Sequence, residues 1–382
     1  MDRKSLALVL GTTILAFASL YAPQPLLPLL SEELAVSETQ AALLMTLALL
    51  PLGIAPLAYG FLLEAYPAQK LLRAAVLLVT LGELLFAVSS DFRLLVLARL
   101  LQGIALPALF TSAMTYCSVA ARQDQVRRVI GIYVAATILG GFLGRALTGL
   151  LADHLHWRAG FLLWTGALAL AWLSLRVLPG DARAGFSRPR PRLIAEVWRE
   201  ATFRNAYLCI FSVFFSFASL LNFLPFQLKI VDPSVSESTI SLSYVGYLIG
   251  VMVALRAPRM VETFGGVRPA LEWGLALFAL GTALFLVPSV AFAFAAMLVF
   301  CAGFFAVHAI LSGHLNHLAP SRKGVVNGLY VSSYYAGGAL GSVLPGYWYR
   351  AYGWGALVGS LLLMIAFAAI AATRVAADLT GD

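Results

Sequence analysis

From Gly131 to Trp157 the chain reads GIYVAATILGGFLGRALTGLLADHLHW, and from Gly328 to Trp354 it reads GLYVSSYYAGGALGSVLPGYWYRAYGW. The second stretch follows the first at an offset of 197 residues, and ten of 27 positions are identical: Gly131/Gly328, Tyr133/Tyr330, Val134/Val331, Gly140/Gly337, Gly141/Gly338, Leu143/Leu340, Gly144/Gly341, Leu147/Leu344, Gly149/Gly346 and Trp157/Trp354. Both copies sit in long apolar runs. The 382-residue chain is therefore a duplication. A parallel repeat of about half a membrane protein predicts two helix bundles around a central path.

Composition fixes the solvent. Hydrophobic residues make up 61% of the chain and charged residues 12%, with a mean hydropathy of +0.88, whereas soluble domains carry roughly 25% charged residues. Most of the surface must face lipid. Apolar segments fall at 6–30, 40–63, 70–90, 94–118, 127–151, 159–178, 205–228, 239–257, 269–287, 290–315, 324–347 and 354–373. Most reach the roughly 20 residues a spanning helix needs, so twelve spans are predicted. The first run follows Arg3 and Lys4 as a signal peptide would. Its length and the lack of a small-x-small cleavage site predict that it stays as a helix.

Orientation follows from the basic residues. With the amino terminus inside, twenty of the 26 Lys and Arg fall in cytoplasmic segments and four, Arg93, Arg158, Lys229 and Arg350, in outer loops. The remaining two, Arg99 and Arg145, lie inside spans. This bias predicts a multi-pass protein of the bacterial cytoplasmic membrane with both termini in the cytoplasm. The net charge of +8 is mostly a topology signal. Nucleic acid is not an expected partner, because no basic soluble domain is present to bind it.

Between the sixth and seventh spans, Pro179 to Ala201 reads PGDARAGFSRPRPRLIAEVWREA, where Pro, Gly and Arg break the apolar pattern. Residues 179–202 are read as a cytoplasmic linker between an amino-terminal six-helix bundle, 1–178, and a carboxy-terminal one, 203–382. The LIAEVWREA portion suits a short amphipathic helix on the inner membrane surface. Cys117, Cys209 and Cys301 all lie in apolar runs and read as packing residues.

Two motifs now carry a family resemblance. Arg99-Leu-Leu-Gln102-Gly103 in the fourth span resembles the RxxQG motif of proton-linked drug antiporters. In the fifth span Gly131, Gly140, Gly144 and Gly149 match the glycine spacing of the antiporter motif g(x)8GxxxGPxxGG. Along its whole length the chain resembles the twelve-spanning drug:proton antiporter branch of the major facilitator superfamily. The opening Tyr21-Ala-Pro23-Gln24-Pro25-Leu-Leu-Pro28 is similar to bacterial exporters grouped as arabinose-efflux-like permeases. The resemblance implies an all-α integral membrane fold, with twelve transmembrane helices in two pseudo-symmetric six-helix bundles. It also implies a small-molecule substrate, protons as the coupling ion, no catalytic residues, no cofactor, and a monomer embedded in the lipid bilayer.

Departures from the family pattern set further expectations. The loop after the second span normally reads GxxxDRxGRR and grips neighbouring helix ends. Here Gly60 and Glu64 stand for its glycine and acid, Pro67 replaces a glycine, and Lys70 is what remains of the basic pair. The second-half counterpart keeps Glu262, Gly265 and Arg268. Both loops are gating candidates, or ordinary solvated turns with snorkelling charges. The glycines of the fifth span, and Gly337 and Gly341 in its second copy, are expected to let helices approach closely.

Charge inside the membrane points to function. An arginine at a helix centre costs roughly 2.5–3.5 kcal/mol on insertion scales, so it needs a polar cavity or a partner. Arg145 stands where the antiporter motif has proline and the second copy has Ser342. It either faces the path or snorkels outward. Arg99 and Gln102, three apart, share one face of an apolar helix, and the resemblance gives this arginine an influence on proton binding. Glu83 sits well inside the third span, which in this fold is peripheral, and is either a coupling acid or a buried structural one. His308 is a second proton acceptor by chemistry, or a packed histidine. Tyr21, Gln24 and Asn222 complete the set expected along the pathway, beside an aromatic wall of Phe211, Phe214, Phe215 and Phe217. His314/His317 and His154/His156 lack a third ligand at a suitable spacing, so no metal is expected.

The primary reading is thus an exporter of a small amphipathic or anionic molecule, proton-coupled and working by alternating access. The alternatives are an uncoupled facilitator or importer and, with least chemistry to use, a membrane enzyme.

Overall fold

The computed structural model describes residues 3–58, 66–120, 126–178, 191–319 and 322–377. Among them the chain is helical, with ten helices long and apolar enough to cross a membrane. Two further long helices, Val267–Leu284 and Lys323–Val343, complete twelve. The second of these is rich in Gly, Ser and Tyr, which lowers its hydropathy without shortening it.

In chain order, α1 is Arg3–Tyr21, continued by a 3-10 turn at Gln24–Leu26 and by Leu27–Glu33. Then come α2 (Glu38–Ala58), α3 (Ala68–Val88), α4 (Phe92–Ala120), α5 (Val126–His154) and α6 (Trp157–Ser174). A linker helix, Pro191–Arg199, precedes α7 (Ala201–Val231). The eighth, α8, runs from Glu237–Leu242 through a 3-10 turn into Tyr247–Thr263, and α9 (Val267–Leu284) and α10 (Val290–Leu318) follow. The eleventh, α11, begins as Lys323–Val343 and continues over 345–352. The twelfth, α12, covers 354–377. Gly353 separates those two with φ 79 and ψ −172, a conformation that β-carbon sterics deny most residues.

The chain forms two compact units. One comprises Met1–Val36, Ala58–Arg188 and Ser236–Leu242; the other comprises Ser37–Leu57, Pro189–Val235 and Ser243–Asp382. Thus α2 belongs to the second unit, and the first turns of α8 belong to the first.

In the first unit α5 lies against α1 through glycines. A β-carbon on Gly140 would fall on the Ile14 carbonyl and 2.9 Å from Phe17 Cβ, and one on Gly144 would sit 2.5 Å from Ala18 Cα. In the second unit α11 meets α7 in the same way: a β-carbon on Gly337 would lie 3.0 Å from Phe211 Cα, and on Gly341 2.7 Å from Phe215 Cα. The 197-residue offset that relates the glycines also relates Ile14 to Phe211 and Ala18 to Phe215. The duplication therefore repeats in packing as well as in letters. The last glycine pair repeats it again: Gly149 abuts Ser241 at the start of α8, and Gly346 lies 2.8 Å, measured from its ideal β-carbon, from Thr39 Oγ1 at the start of α2. Gly131 corrects the expectation from spacing, because among the described residues nothing lies within 4 Å of a β-carbon there.

Tyrosines at identical repeat positions tie the same pairs of helices. Tyr133 donates to the Phe110 carbonyl of α4, and Tyr330 donates to the His308 carbonyl of α10, both at 3.2 Å. In the second unit the linker helix buries Val197 and stacks Trp198 on Tyr207, with ring centroids 5.8 Å apart. Just beyond it Glu200 receives a bidentate pair from Arg322, which fixes the linker's end to α7 and α11.

Candidate functional site

The site in the first unit begins with two missing hydrogens. Helix α1 stops at Tyr21 because Pro23 and Pro25 supply no N–H, so the carbonyls of Ser19 and Tyr21 lose their ordinary partners four residues on. A freed carbonyl buried in a bundle needs a donor. Arg99 of α4 provides it, donating from Nη1 to the Ser19 carbonyl at 3.2 Å and from Nη2 to the Leu20 carbonyl at 2.5 Å. Its Nη1 also donates to Gln102 Oε1 at 2.6 Å. Arg99 is 1% exposed, so its fork is wholly committed inside the protein.

Gln102 turns its other end to Glu83. Its amide donates to Glu83 Oε2, and Ser19 Oγ donates to the same oxygen at 2.6 Å. Carboxylate, amide, guanidinium and hydroxyl form one closed network across α1, α3 and α4. Although the third helix is expected to be peripheral in this fold, the Glu83 side chain points inward from it. Glu83 is 0% exposed and faces α1 and α4. Gly82 allows this, since its bare Cα lets Gln102 pass within 2.7 Å of where a β-carbon would sit. Glu83 Oε1 is buried without a hydrogen-bond partner among the described residues.

Arg145 does not snorkel. It is 0% exposed; Nε donates to Gln24 Oε1 at 2.7 Å, Nη1 to the Gly141 carbonyl at 2.6 Å, and Cζ lies 4.2 Å from the Tyr21 ring centroid. A desolvated cation over an aromatic face gains about 2 kcal/mol. Arg99 and Arg145 thus approach one unwound turn of α1 from two helices. Tyr21, Gln24, Glu83, Arg99, Gln102 and Arg145, which are scattered in sequence, meet there.

The equivalent place in the second unit is neutral. Ser342 Oγ repeats the backbone bond of Arg145, donating to the Gly338 carbonyl at 2.7 Å, and Asn222 Nδ2 donates to the Ser342 carbonyl at 3.4 Å. Aromatic rings fill the centre: Phe214 stacks on Tyr334 at 3.7 Å and Phe217 on Phe304 at 3.6 Å. His308 ends that stack, with Nδ1 2.9 Å from the Tyr330 hydroxyl. Towards the start of α11, Asn327 donates to Asn316 Oδ1 at 2.8 Å. Sequence reading missed Ser19, Tyr330, Asn316 and Asn327. Ser19 had a signal, since it stands four residues before Pro23; the paired asparagines had only their polarity in apolar runs.

A family model described as Major Facilitator Superfamily matches residues 9–265. The chain belongs to the Major Facilitator Superfamily. It is a membrane transporter and not an enzyme. It is 28% identical over 363 residues to the inner membrane transport protein YnfM of Escherichia coli (strain K12), covering 94% of this chain and 87% of that protein. Among solved structures it resembles a bacterial homologue of the human lysosomal transporter Spinster, in an inward-facing and unoccupied conformation. The TM-score is 0.77 at 17% identity, with 98% and 97% of the two chains covered. The human organic anion transporter MFSD10 (TETRAN) superposes with a TM-score of 0.71 at 17% identity, covering 97% of this chain and 99% of that one.

Of the residues read as a major facilitator gate, Gly60 and Glu64 lie outside the described residues, and Lys70 is exposed in the first turn of α3. In the second copy Gly265 takes φ +80 and turns the chain between α8 and α9. Arg268 donates to Glu272 at 2.9 Å, one turn along its own helix, and not to Glu262. Such half-exposed pairs contribute about 0.3–0.5 kcal/mol. His156 caps α6, accepting from the Arg158 amide through Nδ1 at 3.2 Å.

Proposed function

We propose that this transporter exports a small amphipathic or anionic molecule in exchange for protons, by alternating access between the halves 1–178 and 203–382. It acts as a monomer in the bacterial cytoplasmic membrane, with both termini in the cytoplasm. The observation that supports proton coupling is the Glu83–Gln102–Arg99 network: a fully buried carboxyl, one oxygen of which is unpartnered among the described residues, joined through an amide to a fully buried guanidinium. Such a group exchanges a proton at a far smaller energetic penalty than an isolated buried acid, because the neighbouring cation compensates its charge. Preference for an anion rests on Arg145, since among the described residues of this unit the buried cations, Arg99 and Arg145, outnumber the buried acid, Glu83.

A comparison of metabolites in cells with and without the protein identifies the substrate, and proteoliposomes then test the coupling. Accumulation of that substrate against its gradient, driven by an imposed pH difference and abolished by Glu83→Gln, is the expected result. Equal transport with and without the pH difference sinks proton coupling. It would favour an uncoupled facilitator or importer, the reading that the small number of intramembrane acids supports.

A further inference from the structure

Hydroxyls in these helices follow a habit that Ser19 breaks. Thr12, Thr13, Thr80, Ser112 and Ser212 each donate to the carbonyl four residues earlier, at 2.5–2.9 Å. That is the default for a hydroxyl in an apolar helix, where the nearest free lone pair belongs to the preceding turn. Ser19 instead crosses to α3 and donates to Glu83 Oε2. Ser19 also carries the carbonyl that Pro23 frees and Arg99 grips. One residue therefore touches the acid through its side chain and the broken turn through its backbone. Five residues further on, the turn ends at Gln24, which receives Arg145; between them lies Tyr21, on which Arg145 stacks.

We infer that Ser19 is the positioning residue that couples the charge on Glu83 to the α1 turn presenting Tyr21, Gln24 and Arg145. The inference rests on Glu83 being the proton site of the proposed antiport. With Glu83 ionised, Oε2 is a charged acceptor and holds the hydroxyl of Ser19 and the amide of Gln102 together. A proton arriving from water on the carboxyl removes that charge, and a neutral acceptor bonds about half as strongly as an ionised one. The Ser19 hydroxyl then reverts to the carbonyl one turn back, as its neighbours do, and the Gln102 amide loses its charged acceptor, which frees the Gln102–Arg99 pair to shift as a unit. The grip of Arg99 on the Ser19 and Leu20 carbonyls loosens with it, and the turn shifts at Tyr21 and Gln24. Substrate bound by Arg145 is thereby linked to protonation some distance away without touching Glu83.

The charges facing Glu83 are few. Arg99 reaches it from α4 through Gln102. Among the described side chains of α1, the Ser19 hydroxyl is the polar group that meets it, and the charged residues of that helix, Arg3 and Lys4, stand at its beginning. The single charged residue of α6, Arg158, is at the outer start of that helix, where it pairs with Glu33. On α3 itself Lys70 and Arg73 occupy the first two turns.

Two measurements on the full-length protein in detergent test this without a known substrate, with pH alone as the probe. The protonated-carboxyl infrared band lost in Glu83→Gln reports whether Glu83 titrates. Amide hydrogen exchange of the peptide spanning residues 18–27, compared between wild type and variants at equal pH so that intrinsic exchange cancels, reports the turn. The expected result is that wild type shows a pH-dependent change in protection following the Glu83 band. Ser19→Ala should lose that change while Glu83 still titrates, and Ser19→Thr, which keeps the hydroxyl, should restore it. If Glu83 does not titrate, the proton reading falls and this inference with it. If Glu83 titrates but the turn does not respond, or Ser19→Ala responds as wild type does, the coupling role of Ser19 is overturned while the proton site stands.

Discussion

Arg99 does two jobs that one substitution exposes together. It satisfies two backbone carbonyls left open by Pro23 and the turn that follows, and it balances Glu83 through Gln102. From the motif alone, Arg99→Ala would be expected to spare folding and stop transport. The geometry predicts otherwise: leaving Glu83 and two carbonyls buried without their cation should cost about 3–5 kcal/mol, read as a clear fall in thermal unfolding midpoint in detergent. Arg99→Lys should recover part of that stability, since an ammonium matches the charge but not the two-pronged fork. Unfolding of Arg99→Ala at the wild-type midpoint would mean that water, and not Arg99, serves those carbonyls. Arg145 should behave differently. Its counterpart Ser342 makes the same bond to the carbonyl four residues earlier, so the backbone at this position already accepts a small polar side chain. Arg145→Ser should insert and fold, lose the contacts to Gln24 and Tyr21, and shift selectivity from anionic towards neutral substrates. Unchanged selectivity in that variant would remove the argument for an anionic solute.

Among the helices, the duplicated glycines give the sharpest contrast. Gly144 and Gly341 each leave room for the backbone of the facing helix, at Ala18 and Phe215, whereas no described residue approaches Gly131. Gly144→Ala and Gly341→Ala should each destabilise by about 1–3 kcal/mol, the usual cost of overpacking, because the obstructing atoms are backbone and cannot rotate aside. Gly131→Ala should be neutral or slightly stabilising, since alanine is the better helix former by about 1 kcal/mol. Thermal unfolding of the three variants side by side decides it; equal losses at Gly131 and Gly144 would show that helix flexibility, not close approach, is what these glycines supply. The spacing motif treats its four matched glycines, Gly131, Gly140, Gly144 and Gly149, alike. Only the neighbouring helix separates them.

Across the whole molecule the testable quantity is topology. The native cysteines Cys117, Cys209 and Cys301 are all buried, so an introduced cysteine reports against a low background. Ser37→Cys, between α1 and α2, should react with an impermeant thiol reagent added to intact cells, while Trp198→Cys in the linker helix should react only after the membrane is opened. The reverse pattern would invert the orientation drawn from the basic residues. Membrane residence, twelve spans and the duplication were legible in the amino-acid sequence because each is a one-dimensional property: hydropathy sums along a segment, and a repeat is a comparison of letters at a fixed offset. The proline break in α1 was legible for the same reason, since a missing N–H is local. What only the tertiary structure decided was which faces meet. Glu83 lies 64 residues from Ser19 and 19 from Gln102, and nothing in α3 by itself distinguishes an inward-facing acid from a peripheral one. Likewise α2 follows α1 in the chain yet belongs to the second unit. In a span that is apolar all round, hydropathy says that a helix is buried in membrane or protein without saying against what; the choice of neighbour is made by shape, by glycines that admit a backbone and by buried polar groups that must find one another.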